Sequence, residues 1–238
     1  MGTLLLIILA LAPVAVIVLY VWFRDKYDKE PFKLIVFGLF LGALATIPAI
    51  ILELLGNSLF PRFTMFNVFL YSFFVVALSE EGVKFLVLRK IFYRKPDFNE
   101  PYDGIVYSVV ISMGFAGAEN LLYVLNNGVE VGILRMFTAV PAHAGFAILM
   151  GYFVGKAKFS LRYKNYYCFI GLFNAILFHG LYDFFLLQKN YAALQYFAFI
   201  ALIVCLILSF RALNKRRKHL FLKNSSEENS ENSNSSLP

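Results

Sequence analysis

The sequence predicts an all-α, polytopic membrane helix bundle of about seven transmembrane helices, with the N-terminus outside and the C-terminus in the cytoplasm. Three observations predict it. Of 238 residues, 60% are hydrophobic and 16% charged, with a mean hydropathy of +0.68, a balance no ordinary soluble domain has. Seven apolar runs, each of roughly 20 residues, are long enough to cross about 30 Å of hydrocarbon. The loops between them alternate in charge: 24–33, 89–103, 156–165 and 211–238 hold 18 of the 22 Lys and Arg, whereas 56–66, 126–135 and 188–190 hold three. Basic residues are retained on the cytoplasmic side, which fixes the orientation. The net charge of +7 therefore reflects membrane topology, and no nucleic-acid partner is expected. The two cysteines, Cys168 and Cys205, lie in apolar runs, which excludes a disulfide scaffold and a Cys-based metal site.

The first run, 4–23, lacks a positive n-region, is too long for a signal-peptide core and is followed by basic residues, so it is read as a retained helix. The second, 34–55, carries Glu53 near its outer end, where snorkelling accounts for it; Glu53 is left out of the site. The third, 67–88, contains Ser79-Glu80-Glu81-Gly82-Val83-Lys84. The fourth, 104–125, follows Asp103, read as an N-cap or interfacial residue, and carries Glu119 and Asn120 beside Gly114, Gly117 and Ala118, where a neighbouring helix can approach closely. The fifth, 136–155, holds His143 two residues after Pro141, which is expected to kink it. The sixth, 166–187, holds Asn174 and the pair His179 and Asp183; the seventh, 191–210, carries no motif. The Lys215–Lys218 run reads as a stop-transfer anchor, and the stretch 224–238 is too polar to bury a core. One helical domain over 1–223 and a disordered cytoplasmic tail over 224–238 are expected.

A charged group in hydrocarbon costs on the order of 3 kcal/mol, so the few present need a reason to be there. Lys84 lies at i+4 from Glu80 and i+3 from Glu81, within reach of both. Paired carboxylates in low dielectric with one lysine leave one acid surplus, the arrangement that general acid/base chemistry uses; a packing knot would need only one. His179 and Asp183, at i and i+4, share a helix face, so the carboxylate can orient the ring. His219 is read as a solvated tail residue. Counted at 1.5 Å of rise per residue from the outer ends, Glu119, His143 and His179 come out about 9–12 Å deep but Glu80 and Glu81 about 20 Å, a mismatch that spacing leaves open.

These residues resemble a known family. Glu80-Glu81-x-x-Lys84, Phe115-x-x-x-Glu119-Asn120, His143-Ala144 and His179-Gly180-Leu181-Tyr182-Asp183 are similar to the motifs of the PrsW family of bacterial intramembrane proteases, within a superfamily that includes the CAAX prenyl proteases and bacteriocin-processing or self-immunity proteins. Arg24-Asp25-Lys26-Tyr27-Asp28-Lys29-Glu30-Pro31 and Asp103-Gly104-Ile105-Val106-Tyr107 also look like signatures of that family, so the resemblance spans roughly 20–187. It implies a multi-pass protein of the bacterial inner membrane that makes the site-1 cut in a single-pass anti-sigma factor, on the extracytoplasmic side.

The expected chemistry is hydrolysis by activated water, since no Ser/His or Cys/His pair stands among the buried groups. Glu80 or Glu81 is the candidate base, Lys84 holds the other acid, His143 and His179 stabilise the oxyanion, Asp183 orients His179, and Glu119 positions water or protonates the leaving amine. No cofactor is required in this reading. Zinc on His143, His179 and Glu81 is the open alternative, which chelation and metal restoration decide. A proton-coupled transporter also needs buried Glu, His and Asp, but no inverted repeat is present; a flux assay separates it. A non-proteolytic or immunity protein with a decayed site predicts that Glu80→Ala and Glu81→Ala change nothing.

Overall fold

A computed structural model describes residues 3–25, 28–60, 62, 64–188 and 191–235 of the chain, with side chains described as far as Lys215. The helices are α1 (Thr3–Arg24), α2 (Phe32–Leu59), α3 (Met65–Leu70), α4 (Leu78–Lys90), α5 (Asp103–Asn127), α6 (Val129–Phe137), α7 (Ala139–Lys158), α8 (Lys164–Leu186) and α9 (Tyr196–Ser235), and the described residues contain no strand. The backbone of α9 runs into the stretch where a disordered tail is expected; the side chains there, including His219, lie outside the described ones.

Among the described residues six segments are long and apolar enough to span a bilayer: Thr3–Arg24, Phe32–Leu59, Asp103–Asn127, Val129–Lys158, Lys164–Leu186 and Ala193–Lys215. The expected third span takes another form. Met65–Lys90 is helical throughout but is divided by a π-helix, Tyr71–Ala77, and its second half carries Glu80, Glu81, Lys84, Arg89 and Lys90. At 1.5 Å per residue it is about 39 Å long, enough to cross, but the charges make it the least apolar of the seven. A π turn takes in an extra residue and so rotates the succeeding helix by about 100° about the axis; such turns recur at functional sites. Here it immediately precedes the paired acids.

α5 is the central helix. Every residue from Asp103 to Gly117 is buried, against α1, α2 and α7. Close approach requires the missing side chains at two crossings: a Cβ on Gly114 would lie 2.1 Å from the Leu39 carbonyl oxygen of α2, and one on Gly151 of α7 would lie 2.2 Å from that of Gly104. Around these contacts Val14, Val18, Ile35, Val106, Val109, Val110, Val140 and Ala147 form one core, and Leu88, Phe92, Tyr107, Phe146, Met150 and Val154 a second. The outer helices turn large apolar side chains outward, including Leu4, Val16, Phe40, Leu54, Ile200 and Ile203. In water such a surface would aggregate; against lipid tails it is matched.

The break in the fifth run falls at Thr138, between α6 and α7, not at a kink beside His143. Pro141 sits in the first turn of α7, where the N–H it lacks would have no helical partner anyway. Asp103 does not cap α5 either. Its Oδ2 accepts from the backbone N–H groups of Asn99 and Glu100, both at 2.7 Å, and so fastens the turn that leads into the helix.

Candidate active site

The first two turns of α4 supply Glu80, Glu81 and Lys84, all buried. Lys84 Nζ donates to Glu80 Oε2 at 3.0 Å and Glu81 Oε1 at 2.8 Å, and its third contact is His143 Nδ1 of α7 at 3.2 Å. An ammonium only donates, so in this arrangement Nδ1 accepts and Nε2 carries the proton toward Glu119 Oε2 of α5, 3.0 Å away. The Ser112 hydroxyl of α5 donates to the His143 backbone carbonyl at 3.0 Å, and the Phe115 ring lies 4.0 Å from Lys84 Nζ. On the other side, His179 Nδ1 of α8 meets Glu81 Oε1 at 2.9 Å, and its Nε2 meets Asp183 Oδ2 at 3.3 Å. Phe146 stacks on His179, with centroids 4.9 Å apart. The depth mismatch therefore disappears: spans that start at one level and run parallel are an assumption that these contacts do not obey.

All seven residues singled out in the sequence are brought into one network: Glu80, Glu81, Glu119, His143 and His179, with Lys84 and Asp183. Asn174 is not part of it and donates to Ile170 O of its own helix. Asn120 braces α5 against α1 by donating to Ala10 O. Sequence reasoning missed Arg135 of α6, which loop counting places in an outer loop. It pairs with Glu119 at 3.1 Å, donates from Nε to Asn120 Oδ1 at 2.9 Å and lies over the Tyr123 ring. A lone arginine in an otherwise apolar stretch was the available signal.

A cavity of about 320 Å³ opens onto this network, lined by Glu80, Glu119, His143, His179 and Asp183 and also by Arg62 and Arg135. Glu81 does not reach it and stays fully buried behind Glu80. Glu53, expected to be a snorkelling residue outside the site, lies on the cavity wall, as do Tyr71, Tyr123 and Tyr182.

The donor set also suits a cation. Glu80, Glu81, His143 and His179 place one ligand atom each within 4.8 Å of one another, and Glu81 Oε2 is buried with no hydrogen-bond partner. Among the described residues Glu80, Glu81, Glu119 and Asp183 form ion pairs with two permanent cations, Lys84 and Arg135, which leaves two acids in excess of paired cations in low dielectric. Two imidazoles and a carboxylate are a common zinc set, and the residues fit such an ion. Lys84 touches three of the four and shares the donors the ion would use.

A family model described as "PrsW family intramembrane metalloprotease" matches residues 30–209. The chain belongs to the PrsW family of intramembrane proteases. Relatives named Protease PrsW include those of Clostridioides difficile, 35% identical over 90% of this chain and 91% of theirs, and Geobacillus kaustophilus, 36% identical over 78% and 81%. That of Bacillus subtilis is 35% identical over 74% and 80%. No solved structure matches the chain. A multi-pass protease of the bacterial membrane is what this membership, together with the six apolar spans, establishes.

The two remaining PrsW-like motifs meet each other about 24 Å along α5 from Glu119. The Tyr107 hydroxyl donates to Glu30 Oε2, Asn99 Nδ2 donates to Asp28 Oδ2 at 2.7 Å, and Trp22 Nε1 donates to the Glu30 carbonyl at 3.0 Å. Asp25, Glu100 and Asp103 gather beside them. Burial first, and the nearby Asp103 carboxylate second, push the Glu30 carboxyl well above the usual carboxylate range.

Proposed function

We propose that this PrsW-family protease makes the first, extracytoplasmic cut in a single-pass membrane protein of the anti-sigma type, with Glu80 as the base that activates water. The observation that carries the chemistry is the shared wall: Glu80 and both imidazoles face one buried cavity, while Glu81 lies behind. Arg62, which also lines the cavity, comes from one of the loops poor in basic residues that the positive-inside rule puts outside, which supports entry from that side. The anti-sigma substrate is what the motif resemblance implies.

His143, His179 and Glu81 would hold a divalent ion such as zinc. When bound, it supplies Lewis-acid polarisation of the scissile carbonyl and a lowered pKa for water. The description of the family as metalloproteases, the two surplus acids and the orphaned Glu81 oxygen favour this over the cofactor-free reading. The chain's own residues do the rest. Glu80 takes a proton from water as the water oxygen bonds to the carbonyl carbon. Glu80 then hands that proton to the amide nitrogen as the C–N bond breaks, while Glu119, hydrogen-bonded to His143 Nε2 and clamped by Arg135, holds that ring in place and positions the water. Asp183 fixes the ring of His179, and Phe146 stacked on it keeps water from that face.

Co-expression of a tagged single-pass anti-sigma candidate with the wild type and with Glu80→Gln, Glu81→Gln, His143→Ala and His179→Ala, at matched abundance, tests the assignment. Cleavage is expected to vanish in all four. Fragments that persist in all four would refute the site.

A further inference from the structure

We propose that a second cavity, at the other end of α4, is a binding site for the phosphodiester headgroup of an acidic phospholipid. This cavity, of about 450 Å³, lies between the last turns of α4 and the first turns of α8. Its polar rim is Arg89, Lys90, Arg94 and Asn165, and its floor is made by apolar side chains that include Leu86 and Phe169. Cations above and hydrocarbon below reproduce the cross-section of a lipid at the interface.

The charges next to it are unusually concentrated. Arg89 Cζ lies 4.1 Å from the Tyr93 ring centroid, and Lys158 Nζ and Lys164 Nζ both lie 5.1 Å from the same centroid. Every pair of these three cations is thus within about 10 Å, the Debye length at 0.1 M salt, so they repel one another largely unscreened. Among the described residues no carboxylate forms an ion pair with any of them or with Lys90 or Arg94. The acid whose field reaches Lys158 is Asp103, and its Oδ2 is committed to two backbone N–H groups. A phosphodiester in the cavity supplies the missing negative charge, and the acyl chains follow the exposed faces of Leu86 and Phe169 into the bilayer.

The placement also couples lipid to chemistry. Lys90 is about 14 Å along α4 from Glu81, so a headgroup bridging α4 and α8 ties together the cytoplasmic ends of the helices that carry Glu80, Glu81, His179 and Asp183.

Native mass spectrometry of the full-length protein in mild detergent, titrated with phosphatidylglycerol or phosphatidylcholine, tests the site. Removing a cation near an anionic headgroup lowers affinity about fivefold, so Arg89→Gln/Lys90→Gln/Arg94→Gln, at the three cations that line the cavity, is expected to weaken phosphatidylglycerol retention roughly a hundredfold. Lys33→Gln/Arg211→Gln/Lys215→Gln, which removes equal charge away from the cavity, should leave it within a few-fold, and phosphatidylcholine should be indifferent to both. Lys90→Gln alone, at an exposed helix end, gives the fivefold step if the triple variant does not fold. Equal retention in the cavity variants and the control would overturn the proposal. So would inorganic phosphate displacing phosphatidylglycerol at matched concentration, which would mark a site for free anions.

Discussion

Replacing Lys84 with Met keeps the length and apolar stem of the side chain and deletes its charge. Three contacts go at once: those to Glu80, Glu81 and His143, in a group only 2% exposed. Two carboxylates are left facing each other with no cation between them, and removing one member of a buried ion pair costs about 3–5 kcal/mol. For a chain of this size that lowers Tm by about 6–20 °C. Cys168 and Cys205 are free and buried, so a thiol-reactive fluorophore that reports their exposure on heating measures the change directly. The scan belongs in chelator, because a divalent ion would take the place of the ammonium. Adding Glu81→Gln to Lys84→Met removes one of the stranded charges and is expected to recover part of the loss, a coupling a double-mutant cycle reads out. A Tm within 2 °C of wild type for Lys84→Met would refute the claim that this lysine holds the paired acids.

Four further outcomes are expected from the same geometry. Chelation is expected to abolish cleavage and zinc to restore it, and zinc should raise Tm in the wild type but much less in His179→Ala; cleavage that survives exhaustive chelation returns the site to metal-free hydrolysis. Arg135→Ala should lower kcat by about 10–100-fold while Glu119 and His143 stay in place, with Arg135→Lys rescuing little because a point charge replaces a fork that grips Glu119 and Asn120 together. Glu30, with its carboxyl pushed up by burial, keeps a proton in the folded state that the unfolded chain has lost. Its stabilising contribution is thus complete below the ordinary carboxylate pKa and declines as pH rises through the folded value; Glu30→Gln should flatten that decline in a series of thermal scans. Gly114→Ala should destabilise the fold by about 1–3 kcal/mol, because the new methyl meets the Leu39 carbonyl, whereas Gly82→Ala, with open space around it, should be neutral or stabilising.

Local spacing made part of the site legible. Glu80, Glu81 and Lys84 sit on one helical turn, and His179 and Asp183 on another, and a helix of either span brings such neighbours together whatever surrounds it. The scarcity of polar groups in apolar runs singled out Glu119 and His143 because hydrocarbon makes an idle charge so costly. Arg135 was misplaced because loop-charge counting treats every basic residue outside an apolar run as solvated, and the Thr138 break that starts α7 after Arg135 has no signature beyond an ordinary Thr. Glu53 was set aside for a similar reason: its depth suits snorkelling, and only the approach of α2 to the cavity shows otherwise.

By itself the sequence determined that this chain spans a membrane repeatedly as helices, which residues are too polar to lie there unemployed, and to which family its motifs are similar. Only the tertiary structure decided that Glu80 faces the cavity while Glu81 is sealed behind it, that Arg135 clamps Glu119, and that three cations crowd one tyrosine ring at the opposite end. The reason is that periodicity fixes positions around one helix axis. The rotation, tilt and offset of one helix against another are set by side-chain packing, by glycine contacts and by the π turn, which act between segments far apart in the chain.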